Sequence, residues 1–314
     1  MDKKRTLGIL AVLALSQALL QAAETTVPKH PPLLLASYTN HAAYMVDAND
    51  KVVWKTDLPG SCQEAWLLDD GNVLTSGGNR VKVVRPDNSV VWQYTGPAGQ
   101  PIEIHNCQPL PDGGVVFGEG GMARILELDK NGKQVKEVKL PLKGSAHNQM
   151  RQVRKLANGN YLVCAMGENN LYEFEPAGKI VRLLEGKEMK KQGLNWCCLH
   201  SADQLANGNL LVGGGYNSSL AEIDPSGKVV WNLTKEDVPE MGFNYAAGSQ
   251  RLPDGTTVLA AYHGGVPVFA VSADKKVLWT CKNQEMGKPS HVKVLSEKQV
   301  AAFLEAANRS AVSK

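Results

Sequence analysis

The sequence predicts an all-β protein: a six-bladed β-propeller with four-stranded antiparallel blades. Three observations carry this. First, residues 205–231 read as one complete unit. A short apolar strand ends in the Asn207-Gly208 turn, strands follow over 209–213 and 220–224, and the Pro225-Ser226-Gly227-Lys228 turn leads into a strand over 229–231. Asn-Gly between apolar runs is the signal of a two-residue hairpin, and a type I′ turn with φ > 0 at both residues is expected there. A meander this small cannot bury both faces alone, so it should recur.

Second, it does recur. A tryptophan stands seven residues after Asp47, Arg85, Asp224 and Ser272, as Trp54, Trp92, Trp231 and Trp279. Asp129 and Glu175 open the same turn, with Lys136 and Arg182 in place of the tryptophan. Successive positions 47, 85, 129, 175, 224 and 272 are 38, 44, 46, 49 and 48 residues apart. A period in the forties with four strands per repeat is a propeller signature. The first turn recurs independently as Asp70-Gly71, Asp112-Gly113, Asn158-Gly159 and Asp254-Gly255.

Third, the first blade is one strand short. Residues 33–37, 43–47 and 52–55 give three strands, and a period-2 apolar segment at 291–295 has no partner in its own blade. Its return to blade 1 as the missing inner strand closes the ring and leaves no open sheet edge.

Taken in order, Lys3, Lys4 and Arg5 precede an apolar run over 7–20 and the small residues Ala22 and Ala23. This is the pattern of a secretory signal peptide over 1–23, too short to span a bilayer. A linker over 24–32 leads to the propeller at 33–295. Ser296, with Gln299 three residues on, caps a short C-terminal helix and tail over 296–314, expected to be a surface appendage. The expected location is periplasmic or secreted, with no membrane contact after cleavage. The formal charge of +3 falls to about +1 without Asp2, Lys3, Lys4 and Arg5, which excludes a nucleic-acid partner on charge grounds. A monomer is expected. The six cysteines are scattered over different blades and read as small buried hydrophobes.

Aligning the inner strands seven residues before each turn Asp or Asn brings Gln63, His105, Arg151, His200 and Ala247 to one height, and aligning Leu295 of the closing strand with Leu110 places Ser290 there too. His291 is next to Ser290, and His147 stands four residues before Arg151. In a propeller the start of each inner strand rings one mouth of the axial channel. Gln63, His105, His147, Arg151, His200 and His291 are therefore the candidate ligand-binding residues, with Ala247 and Ser290 leaving one side open. Three readings stand beside one another. The ring reads as polar lining of a wet channel, as an anion site with Arg151 as clamp, or as a divalent-metal site built from imidazoles. In a catalytic version, His105 and His200 are the acid, base or nucleophile and Arg151 holds the anion.

The D-x-x-G-K-x-x-W repeats resemble those of propellers related to the pyrroloquinoline quinone enzymes. That resemblance implies the fold. It implies the quinone cofactor only where acidic calcium ligands accompany it, and the sequence lacks such a cluster. The adjacent Cys197 and Cys198 would form the vicinal disulfide that stacks on the quinone in some of those enzymes. The H-x-x-x-x-L-x-[DN]-G segments beginning at His105 and His200 are similar to inner strands of six-bladed bacterial arylsulfotransferases. That similarity implies a sulfuryl group handled by channel histidines and an arginine. The expected function is binding of a small anionic ligand or a protein partner at the channel mouth, with an arylsulfotransferase-like enzyme as the alternative.

Overall fold

The computed structural model describes residues 29–216 and 219–312. The expected signal peptide lies outside the described residues. Six antiparallel sheets form the propeller. Blade 1 runs from the channel outward as Pro289–Val294, Leu33–Ser37, Ala42–Val46 and Val52–Asp57. Val292 pairs with Leu35 and Val294 with Leu33, so the C-terminal strand closes the ring as expected.

The inner strands of blades 2 to 6 are Cys62–Leu67, Gln108–Pro109, Gln152–Lys155, Ser201–Gln204 and Tyr245–Arg251. Gly215–Tyr216, from the loop of blade 5, adds a fifth strand to blade 6 beside Tyr245.

Period-2 alternation explains the core. Leu33 and Leu35 face blade 6, where they meet Tyr245, Val258 and Ala260. Leu34 and Ala36, on the opposite face of the same strand, pack towards blade 2 on Ala65 and Val73. Every middle strand is buried on both faces in this way, which is why these strands read as continuous apolar runs. One apolar cluster fills each junction between neighbouring blades.

The tryptophans lie between blades: Trp54, Trp92 and Trp231 sit on the next blade's outer turn, and Trp279 meets His30 at 5.9 Å. Trp54 Nε1 donates to Pro86 O at 2.9 Å and Trp231 Nε1 to Ala273 O at 2.9 Å. A Cβ on Gly132 would come within 3.0 Å of the Trp92 ring, so that turn accepts only glycine against the indole. Arg182, standing in for a tryptophan, donates to Asp224 O on the corresponding turn.

Two expectations are corrected. The hairpins before the second strands are not type I′. At Leu68-Asp69-Asp70-Gly71, Gly71 N–H donates to Leu68 O and only the glycine has positive φ, at 80°. Gly113, Gly159, Gly208 and Gly255 repeat this, while Asn158 and Asn207 are absent from the positive-φ residues. The loop is therefore three residues long, a type I turn closed by a left-handed glycine. The preceding Asp or Asn caps it, as Asp70 Oδ1 accepts from Asn72 N at 3.0 Å. Nor is the C-terminal helix, Glu297–Val312, an appendage. Ser296 Oγ accepts from Gln299 N and Gln299 Oε1 accepts from Ser296 N, as the capping pattern predicts. Its apolar side buries Val300 and Phe303 beside Leu58, and the Phe303 ring meets Trp54 edge-on at 5.1 Å.

All six cysteines are free, with Cys197 and Cys198 half-buried and the other four buried. Among the described residues, no helix is long and apolar enough to cross a membrane.

Candidate functional site

The inner strands deliver Gln63, His105, Arg151, His200, Ala247 and Ser290 to the same end of the channel, all buried. Arg151 is the hub of this ring. Its guanidinium lies over the Tyr38 ring at 5.6 Å, and its charge acts on both His105 and His200. Burial first, and Arg151 second, lower His105 to about 4 and hold His200 well below the ordinary imidazole range. Both rings are thus neutral at neutral pH.

The two histidines are held apart from each other. His200 Nδ1 is 3.0 Å from the Tyr245 hydroxyl, and Nε2 donates across the channel to Ser290 O at 3.1 Å. It spans the gap beside the small Ala247. The side expected to be open is therefore occupied, by His200 and by Tyr245 and Tyr262 of blade 6. Ser290 Oγ is engaged by blade 2, its one proton lying between Gln63 O at 2.9 Å and Cys62 O at 3.1 Å. His105 Nε2 is 2.7 Å from Glu103 Oε2, and His147 Nδ1 is 2.8 Å from the same oxygen. These two bonds, His105's foremost, hold the Glu103 carboxyl below the usual carboxylate range. His147 rides on the short helix Ala146–Gln149, half-exposed above the mouth. A cavity of about 220 Å³ opens here, lined by Tyr38, Ser61, Gln63, Gly78, Glu103, His105 and His147.

His291 stands apart from this group. Its ring tilts against Trp66 at 5.2 Å, with Nδ1 3.5 Å from Ala65 N. It belongs to a second polar layer deeper in the channel. There Glu64 takes both Nη atoms of Arg154, at 2.7 and 3.0 Å, and Arg154 Nε reaches Asp203 Oδ1 at 2.7 Å. Trp66 lies under Arg154 at 5.3 Å and Lys293 at 4.2 Å. This layer plugs the axis below the mouth.

Several mouth residues were not foreseen. Tyr216 and Tyr245 stack edge-on at 4.5 Å, Tyr245 and Tyr262 lie 5.1 Å apart, and Tyr38 meets Tyr262 at 5.3 Å. Tyr216 is hydrogen-bonded to His263 at 3.0 Å, and Lys288 Nζ lies 5.4 Å over Tyr262. Arg151 acts electrostatically on Tyr216, Tyr245 and Tyr262, and its guanidinium lies over Tyr38, which meets Tyr262 in this aromatic wall. Burial raises Tyr262 to about 12. Glu103 precedes the aligned His105 by two residues and so lies outside the alignment. The tyrosines come from the loop ends of strands, where the repeat carries no fixed pattern. The signal that could have found them is aromatic residues at the mouth end of blades 1, 5 and 6.

A larger cavity, about 990 Å³, lies at the opposite face among hairpin turns of blades 2, 3 and 4. Its titratable residues, Asp69, Asp70, Asp112, Lys130 and Lys155, are exposed or half-exposed, so no side-chain chemistry is concentrated there. The smaller cavity, which holds buried polar groups, is the better candidate site.

A family profile decides the kinship of the chain: that of the Mal s 1 allergenic protein-like family matches residues 37–261. The chain belongs to this family. No curated protein matches it significantly. Among solved structures, a Bacteroides caccae protein of unknown function is 21% identical with a TM-score of 0.75, covering 83% of this chain and 98% of that one. A streptogramin B lyase is 12% identical with a TM-score of 0.59, over 85% and 88% of the two chains. A catalytically inactive virginiamycin B lyase from Staphylococcus aureus, solved with quinupristin, is 17% identical with a TM-score of 0.51, over 69% and 68%. Each of these is a likeness of fold.

Proposed function

We propose that this family member is an exported, monomeric binding protein for a small organic anion, received at the mouth around Arg151. One observation carries the reading. Arg151 is 5% exposed, no salt bridge to it is found among the described residues, and its Nε has no hydrogen-bond acceptor. A buried charge without a partner is costly, and an anion supplies both the missing charge and a two-pronged acceptor. Tyr38, Tyr216 and Tyr262 offer flat, half-exposed faces around it, which suits a ligand with an aromatic or apolar body. The nearby carboxylate, Glu103, is already held by His105 and His147.

The alternative, an arylsulfotransferase-like enzyme, needs a histidine free to move a proton. Both ring nitrogens of His200 have a partner within 3.2 Å, and the single proton of neutral His105 is engaged by Glu103 Oε2 at 2.7 Å or Met150 O at 3.2 Å. This favours binding over acid–base chemistry.

The test is thermal unfolding with sulfate, phosphate, benzoate, phenyl phosphate and phenyl sulfate. A ligand at 100 times its Kd adds about 2.7 kcal/mol, a rise of roughly 5–10 °C. At least one aromatic anion should stabilise the wild type and the Lys130→Ala control at the opposite face, and should fail with Arg151→Ala. If no compound shifts the wild type, or if Arg151→Ala responds like it, the proposal fails. A shift lost in Lys130→Ala instead would move the site to the larger cavity.

A further inference from the structure

We infer that Glu103, His105 and His147, with Gln63, form a site for a divalent first-row transition metal, zinc foremost. The site uses different residues from the Arg151 anion contact and goes beyond that reading. Glu103 Oε2, His105 Nε2 and His147 Nδ1 converge so that all three lie within 4.8 Å of one another. Two imidazoles and a carboxylate suit zinc and its neighbours in the series.

The spacing of the two imidazoles from the carboxylate fits with little movement. Ligand atoms about 2.1 Å from one metal stand roughly 3.0–3.4 Å apart in octahedral or tetrahedral arrangements. Here the rings are 2.7 and 2.8 Å from the shared oxygen. An opening of a few tenths of an ångström brings both contacts of Glu103 to that spacing, and the two imidazole nitrogens lie within 4.8 Å of each other. In the metal-free protein, N–H protons fill this gap; a cation takes their place.

The protons have somewhere to go. His105 Nδ1 faces Met150 O at 3.2 Å, so the ring can carry its proton there and turn the Nε2 lone pair to the metal. A backbone carbonyl behind a ligating imidazole is the usual outer support of a metal histidine. His147 is 44% exposed, which lets its proton reside on Nε2 in contact with water.

A second, independent feature points to a ligand. Gln63 is 2% exposed and lines the same cavity, and its amide oxygen has no hydrogen-bond donor. A buried acceptor left unmatched is costly, and a cation satisfies it. Glu103 itself is fixed by a two-way backbone bridge to Gly120, at 3.2 and 2.8 Å, so the carboxylate is presented on a rigid base.

The full-length protein, stripped with chelator and dialysed against Zn²⁺, should hold one zinc per chain by mass spectrometry of the metal content. His147→Ala and Glu103→Gln should each weaken binding by at least roughly tenfold. His147 is half-exposed, so that variant should unfold at the wild-type temperature, which separates lost binding from lost folding. Replacement with Co²⁺ should give absorption without an intense thiolate charge-transfer band. A Cys197→Ser, Cys198→Ser variant should keep full stoichiometry. Absence of zinc in the wild type, equal uptake by His147→Ala, or a thiolate band would each overturn the assignment. The assay contains no organic anion, so its outcome is independent of the Arg151 experiment.

Discussion

Glu64→Ala should be among the most destabilising single changes in the channel. Glu64 is 4% exposed and accepts four hydrogen bonds: from Arg154 Nη2 at 2.7 Å, Gln152 Nε2 at 3.1 Å, Arg154 Nη1 at 3.0 Å and Cys107 N at 3.0 Å. Those donors sit on blades 3 and 4, and Arg154 goes on to Asp203 of blade 5 at 2.7 Å. One carboxylate therefore ties together inner strands of consecutive blades. Its removal leaves a buried guanidinium with one carboxylate fewer, which typically costs about 3–5 kcal/mol, and orphans the Cys107 amide for about another 1–3 kcal/mol. Asp203 still holds Arg154, so the net loss is about 4 kcal/mol. For a chain of this size, that lowers the unfolding temperature by roughly 8–16 °C. Circular dichroism melts in one buffer measure it. The double variant Glu64→Leu, Arg154→Met removes both charges, and apolar replacement of a buried pair is often neutral. It should recover most of the loss. A cost below about 1 kcal/mol for Glu64→Ala would refute this account of the network. So would a double variant as unstable as the two single changes added together.

Two further outcomes follow from the packing. His200 and His291 are buried and held well below the ordinary imidazole range, chiefly by burial. The unfolded chain takes up protons near pH 6.5 that the fold refuses, so stability is complete above that pH and falls as pH drops from about 7 to 5. His200→Gln should flatten this slope in melts across that range; an unchanged slope would argue against buried neutral imidazole at His200. Phe303→Ala empties a 2% exposed site against Trp54 and should cost about 3–5 kcal/mol by urea unfolding, whereas a freely exposed helix would lose almost nothing.

The repeat made most of the fold legible, because turn chemistry and strand alternation recur with little variation. The unpaired segment around Val292 and Val294 revealed the ring closure. The turn type at Asn207 was misread because a dipeptide pattern does not show whether two or three residues form the loop. The position of Arg151 between His105 and His200 followed from equal distance to the blade turns. That distance fixes height along the channel and nothing about direction. His291 follows the aligned Ser290 by one residue yet leans on Trp66 in the deeper layer, and His200 reaches past Ala247 to Ser290. Tyr38, Tyr216 and Tyr262 come from loop ends, where each blade differs from the next. Glu64, Arg154 and Asp203 were legible in principle as charged residues on strands that must be buried. The Phe303 contact was hidden because a single helical turn of apolar residues does not name its partner.

Closure by the last strand also sets the order of events in time. Blade 1 is assembled from Leu33–Ser37, near the start of the chain, and Pro289–Val294, close to its end. Until the final strand arrives, Leu33–Ser37 has one bare edge and the junction between blades 6 and 1 lacks Val292. During synthesis the chain can build individual meanders, but it cannot lock the ring. Each molecule passes through a stage with an open seam, and the final strand acts as the latch. The seam brings with it Ser290, which bonds to blade 2, and the carbonyl that receives His200. The mouth around Arg151 and the closed ring are therefore completed in the same step.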